Sequence, residues 1–151
     1  MLVTGAGGRI GTVLREAWRG RFPLLRLVDV CDLGVAAPGE ELVQLDITDF
    51  AGVRGALEEI DIVVHLAGIT TEDLFSRLLE ANVRGTFNIF EAARQRGVRR
   101  VVFASSNHVT GFYPRAQRIG PNHPVRPDSM YGATKAFGEA VGRLYADKWK
   151  L

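Results

Sequence analysis

The chain has 151 residues, 46% of them hydrophobic and 24% charged, with a net charge of +2; this composition suits one globular core and excludes a disordered or membrane-embedded chain. No apolar stretch reaches the length of a membrane span, and the opening Met1-Leu2-Val3-Thr4-Gly5 lacks the regions of a signal peptide, so neither a membrane nor secretion is expected. The single Cys31 excludes an internal disulfide and has no partner at zinc-ligand spacing; a reducing cytoplasm and no metal are the expectation.

Apolar runs of strand length alternate with helical patterns. The predicted elements are a strand at 2–4, a helix at 9–18, strands at 24–29 and 41–45, a helix at 50–58, a strand at 62–66, a helix at 73–96, a strand at 98–104 and a helix at 131–149. Several strands, among them 62–66 and 98–103, are nearly continuous apolar runs, as strands covered on both faces of a parallel sheet require. The order βαββαβαβα therefore predicts a doubly wound α/β fold over residues 1–151. The first strand is short, which suggests a clipped or misassigned start.

Between the first strand and the first helix runs Thr4-Gly5-Ala6-Gly7-Gly8-Arg9-Ile10-Gly11, with glycines spaced GxxGxxG. Such a turn lets backbone N–H groups approach a pyrophosphate at the positive end of a helix dipole, with Gly11 allowing the helix to pack closely; a plain tight turn is the other reading. The second strand ends at Asp29, placed either to accept from an adenosine ribose 2′-hydroxyl or as a solvated loop residue. With no Arg or Lys directly after it, a ligand-binding Asp29 favours NAD over NADP. Asp46-Ile47 ends the third strand, where Asp46 either meets an adenine edge or serves as a turn or cap residue.

His65 lies in an apolar strand and reads first as a hydrogen-bonded core histidine. Asn82 falls inside the long predicted helix, and the residues alone leave it an exposed polar position. Gly97 is a helix stop, and Arg94, Arg96, Arg99 and Arg100 around it complement a helix C-terminus rather than marking a nucleic-acid surface. Ser105 and Ser106 close the fifth strand, where ligands of open α/β sheets gather; Ser106 either holds a reacting hydroxyl or only terminates the strand. Pro121, Pro124 and Pro127 keep 107–128 out of regular structure, and Asp128 or Ser129 caps the last helix. That helix begins Tyr131-Gly132-Ala133-Thr134-Lys135, so a phenol and an ammonium are neighbours one turn apart. A phenol is a poor base near neutrality, and a nearby cation favours its ionised form.

Taken together, Thr4-Gly5-x-x-Gly8-x-x-Gly11, Asp29, Asp46-Ile47, His65-Leu66-Ala67-Gly68, Asn82, Ser105-Ser106 and Tyr131-x-x-x-Lys135 resemble the extended short-chain dehydrogenases, the NAD-dependent epimerase/dehydratase family. The resemblance implies a Rossmann fold and NAD as cofactor, bound by Gly5, Gly8, Arg9, Ile10, Gly11, Asp29, Asp46, Ile47, Leu66, Ala67, Gly68, Tyr131 and Lys135. It also implies catalysis by Ser106, Tyr131 and Lys135, with Asn82 organising a proton path near the lysine.

Within the family, residues 103–114 look like the uronate dehydrogenase branch. This implies oxidation of the C1 hydroxyl of a hexuronic acid, galacturonate or glucuronate, to an aldarolactone, with Thr70, Ser106, Asn107, His108 and Tyr131 at the sugar. Thr70 stands where that branch leads one to expect serine. Family members are considerably longer, so a fragment is expected, with the carboxylate clamp outside it and the fifth strand left as a sheet edge. Apolar Leu74, Leu78, Phe137, Val141 and Leu144 suggest a homo-oligomer built on the helices at 73–96 and 131–149. The same motifs also suit a sugar-nucleotide epimerase or dehydratase, and the fold alone a non-catalytic NAD sensor.

Overall fold

A computed structural model describes residues 1–151. Its five strands are β1 (Leu2–Thr4), β2 (Leu25–Asp29), β3 (Glu40–Gln44), β4 (Ile62–His65) and β5 (Arg100–Phe103). All pair in parallel, in the order β3-β2-β1-β4-β5. The helices are α1 (Arg9–Trp18), α2 (Phe50–Ala56), α3 (Phe75–Leu78), α4 (Gly85–Gln95) and α5 (Met130–Trp149). The chain leaves β1 toward β2 and later returns to β1's other side as β4, so the carboxyl ends of β1 and β4 flank the point where strand order reverses. In open parallel sheets that crevice is where ligands bind.

Alternation along the strands divides the core. Leu2, Val28 and Val63 face Val53 of α2, Leu57 just after it, and Ile89, Ala92 and Ala93 of α4. Their chain neighbours Val3, Leu27 and Val64 face Leu14 and Trp18 of α1. Side chains of consecutive strand residues point to opposite faces, which is why apolar pairs such as Leu2-Val3 fill both layers. Short as it is, β1 pairs over all three residues with both neighbours.

The connection from β2 to β3 contains no helix. Arg15 of α1 organises it instead, donating to the carbonyls of Leu33 (2.7 Å) and Val35 (2.8 Å) and pairing with the buried Glu40 carboxylate (2.7 Å). Each group satisfies the other's hydrogen-bonding capacity, which a buried charge requires.

Three expectations need correction. The helix predicted over 73–96 starts at Phe75 and is widened into a π turn at Leu79–Arg84 before continuing as α4. The wider turn carries Asn82, whose side chain bonds groups outside its own helix, the kind of functional distortion that periodicity does not register. The segment 107–128 is not wholly irregular: Asn107–Thr110 forms a 3₁₀ turn, with Ser106 Oγ accepting from the His108 N–H at 3.2 Å, because the first proline of the segment comes only at Pro114. Strand β5 is the sheet edge expected of it, pairing only with β4, but it is not covered on both faces: Val102, level with Val64 on the α1 side, is half exposed. No helix is long and apolar enough to cross a membrane.

Candidate active site

The site begins with the turn after β1. Gly5 has φ +69°, and a Cβ there would stand 2.7 Å from the Ala67 backbone nitrogen. A Cβ on Gly11 would meet the Gly5 carbonyl at 2.4 Å. Both positions therefore exclude any side chain, and α1 packs directly on the turn. Gly8 caps α1 without a side-chain acceptor, and no protein group accepts from the N–H groups of Arg9, Ile10 or Gly11. Three orphan donors at the positive end of a ten-residue helix, opening into a groove, make a seat for an anionic group such as a diphosphate.

The groove extends across the carboxyl ends of the strands and encloses about 1600 Å³, above the ~300–1,000 Å³ of ordinary small-molecule sites and suited to a two-lobed ligand. Fourteen predicted site residues line it: Gly5, Gly8, Arg9, Ile10, Gly11, Asp29, Asp46, Ile47, Leu66, Ala67, Gly68, Thr70, Tyr131 and Lys135. Asp29 Oδ2 accepts from the Gly7 N–H at 2.9 Å, tying the end of β2 to the glycine turn, and Oδ1 accepts from the Cys31 N–H at 3.2 Å. Asp46 Oδ1 accepts from the Thr48 N–H and hydroxyl, both at 2.8 Å, so it builds a turn while lining the groove.

At the far end, Tyr131 and Lys135 sit on one face of α5 and are both buried. The Lys135 Nζ lies 5.9 Å from the Tyr131 ring centroid and donates to the Ala104 carbonyl at 2.9 Å. Burial pulls this ammonium down to about 8, because desolvation disfavours its charged form. His65, fully buried below, contacts the hydroxyls of Thr4 at 2.7 Å and Thr86 at 3.2 Å; burial first and Lys135 second push it down to about 3, so it is a neutral core imidazole.

Asn82 is buried rather than exposed. Its Oδ1 accepts from the Ile69 N–H (2.8 Å), and its Nδ2 donates to the Ile69 carbonyl (2.9 Å) and the Thr134 hydroxyl (3.1 Å). Thr134 in turn donates to the Tyr131 carbonyl at 2.7 Å. Asn82 thus joins the groove-lining loop at 68–70, after β4, to the first turn of α5. The Ser pair divides its work: Ser105 lines the groove and donates to Glu139, whereas Ser106 caps the 3₁₀ turn. No hydrogen bond joins Ser106 to Tyr131; His108 lies between them, with its N–H on Ser106 Oγ and its ring edge-on to the Tyr131 ring at 5.6 Å. Asn107 is exposed beside it.

Sequence reasoning missed Glu72. Its carboxylate accepts from the N–H groups of Met130 (3.2 Å) and Tyr131 (2.9 Å), while Ser129 Oγ accepts from Gly132. The first turn of α5 is thereby capped by a residue 58 positions upstream of Met130. No local pattern could reveal a cap supplied from such a distance.

Known proteins match this geometry closely. The model of the NAD dependent epimerase/dehydratase family matches residues 1–151. The chain is 44% identical to uronate dehydrogenase of Pseudomonas putida, over 100% of this chain and 57% of that protein. It is 37% identical to an L-arabinose 1-dehydrogenase (NAD(P)(+)) of Haloferax volcanii, over 99% of this chain and 62% of that protein. A crystal structure of uronate dehydrogenase from Agrobacterium tumefaciens superposes with a TM-score of 0.95 at 47% identity, covering 98% of this chain and 56% of that one. A mutant of that enzyme, complexed with NAD, superposes equally well at 46% identity. The chain spans about half the length of the curated relatives it matches.

Proposed function

Because the chain belongs to the NAD dependent epimerase/dehydratase family, we propose that it supplies the cofactor and proton-transfer half of an enzyme oxidising the C1 hydroxyl of a hexuronic acid, galacturonate or glucuronate, to an aldarolactone with NAD. The observation that carries the reading is one groove joining the donor-rich turn at Gly5–Gly11 to Tyr131 and Lys135. The three orphan N–H groups suit the NAD diphosphate and Asp29 suits its adenosine ribose, disfavouring a 2′-phosphate by charge. When bound, NAD accepts the hydride that leaves C1.

The remaining work falls to the chain's own side chains. The Tyr131 phenolate takes the proton from the C1 hydroxyl as the carbonyl forms, and the neighbouring Lys135 ammonium favours that phenolate. Ser106, at the end of β5, holds the hydroxyl oriented, with Thr70, Asn107 and His108 along the sugar. Asn82 keeps the Ile69 backbone and the first turn of α5 in register, and so helps organise the path by which the proton taken up by Tyr131 leaves past Lys135. The similarity to uronate dehydrogenases at 43–46% identity supports the substrate class.

The test is incubation of the chain, and of a longer form carrying the remaining length of its relatives, with NAD and free galacturonate or glucuronate. Net accumulation of NADH by the longer form is the expected result. Interconversion of a sugar nucleotide without net NADH would point to an epimerase instead. Self-association through the helix faces is the second part of the proposal: Leu74, Phe87 and Leu144 are exposed there, although Leu78 turns inward and is buried. A dimer by analytical ultracentrifugation that Leu144→Glu dissociates is the expected result. A cytoplasmic location is consistent with the free Cys31.

A further inference from the structure

A second carboxylate acts beside Tyr131, through His108. Asp128 Oδ1 lies 2.8 Å from His108 Nδ1 and also accepts from the Ser129 hydroxyl at 3.2 Å. Ser129 Oγ in turn accepts from the Gly132 N–H at 3.0 Å, so Asp128 stands between the imidazole and the cap of the helix that carries Tyr131. The backbone fixes the pair as well: the Asp128 N–H donates to the His108 carbonyl at 3.3 Å. A Cβ on Gly111 would collide with Asp128 Oδ2, so that glycine admits the carboxylate to this position.

An ionised carboxylate only accepts hydrogen bonds, so the imidazole nitrogen facing it carries the proton. In the neutral ring this leaves Nε2 with a lone pair. Nε2 has no hydrogen-bond partner in the protein, the side chain is 45% exposed, and the ring stands edge-on beside the phenol of Tyr131. We propose that Asp128 is a positioning residue, holding His108 as the Nδ1–H tautomer so that Nε2 accepts a hydrogen bond from a hydroxyl of the sugar bound beside Tyr131. The sugar part rests on the substrate reading above; the tautomer part does not. A ring free to carry its proton on Nε2 would present a donor to that hydroxyl in place of the acceptor.

Nitrogen-15 NMR of the histidine rings tests the tautomer part in the 151-residue chain, above the pH range in which imidazole titrates. The chain has three histidines, and His65, buried against Thr4 and Thr86, reports whether each variant is folded. The expected spectrum has His108 Nδ1 as the pyrrole-type and Nε2 as the pyridine-type nitrogen, and Asp128→Ala moves the population toward Nε2–H. A wild-type ring protonated mainly on Nε2, or an unchanged tautomer in folded Asp128→Ala, overturns the proposal. Should that variant unfold, the wild-type spectrum still decides.

With the longer form of the chain saturated in NAD, added galacturonate is expected to shift His108 Nε2. Its affinity should fall about tenfold in Asp128→Ala, the cost of one hydrogen bond, with NAD affinity unchanged. If the tautomer is as expected but galacturonate leaves Nε2 unmoved, the acceptor role is overturned while the turnover reading stands on its own test.

Discussion

The two ends of the groove are built by different means. At the cofactor end, backbone does the work: Gly5 and Gly11 admit no side chain, and the donors are main-chain N–H groups at the start of α1. At the Tyr131 end, side chains from distant segments meet: Glu72 and Ser129 cap α5, Asn82 bridges Ile69 to Thr134, and Asp128 holds His108. A backbone-built site is encoded by a short contiguous motif, whereas a side-chain-built site is encoded by residues whose proximity exists only in the fold. The first should tolerate changes at the Tyr131 end, and the second should respond to single substitutions without loss of cofactor.

The sharpest way to separate the ends is Tyr131→Phe. In the longer form, uronate oxidation is expected to fall by at least ~10²-fold, the scale of a lost general base, with NAD affinity within about twofold. Steady-state rates and calorimetry check the two halves independently, and a parallel loss of NAD binding would erase the distinction.

Beneath both ends lies His65. Its folded-state value of about 3 lies below the ordinary 6.5, so unfolding takes up a proton at intermediate pH. The sign follows: the stability is fully present above about pH 6.5 and is lost as pH falls toward about 3, with a limiting slope of ~1.4 kcal/mol per pH unit from this one group. Urea denaturation at stepped pH measures the slope. Ring resonances of His65 should stay fixed in the native state through the same range; a native-state titration near pH 6.5 would contradict its burial as a neutral group.

Asn82→Ala removes one side chain that serves three partners. Leaving the Ile69 amide groups and Thr134 without it should cost ~1–3 kcal/mol of stability, read by urea denaturation. Because 68–70 lines the groove, NAD affinity should also weaken, which makes Asn82 the joint between the two ends. An effect on stability without any on NAD would place it wholly at the Tyr131 end.

Smallest is Glu72→Ala, which removes the remote cap of α5 and should cost ~1 kcal/mol, with NAD affinity unchanged. Thermal unfolding and calorimetry check it, and a loss of NAD affinity would show that the α5 cap reaches across the groove.

These differences also explain what was legible in the sequence. The doubly wound sheet followed from apolar runs and their order, and the glycine turn and Asp29 from a spacing confined to thirty residues. Tyr131 and Lys135 were legible because one helical turn joins them. The π turn was not, because the hydrophobic period continues across Leu79–Arg84 while only Asn82's long-range bonds distinguish it. Nor was the different placement of Ser105 and Ser106: adjacent hydroxyls look alike until β5 ends and Ser106 turns to cap Asn107–Thr110. Glu72 and Asp128 had no local signature, since each acts on groups that only the folded chain brings near it.

The most direct test of the groove is an isothermal titration of NAD into this chain, its Gly11→Val variant and its Tyr131→Phe variant, each shown to be folded by circular dichroism. The expected result is NAD binding by the first and the third, with loss in Gly11→Val because a side chain there displaces α1 from the Gly5 carbonyl. A folded wild-type chain that takes up no NAD, or a folded Gly11→Val that binds it equally well, would contradict the seat assigned to the first turn.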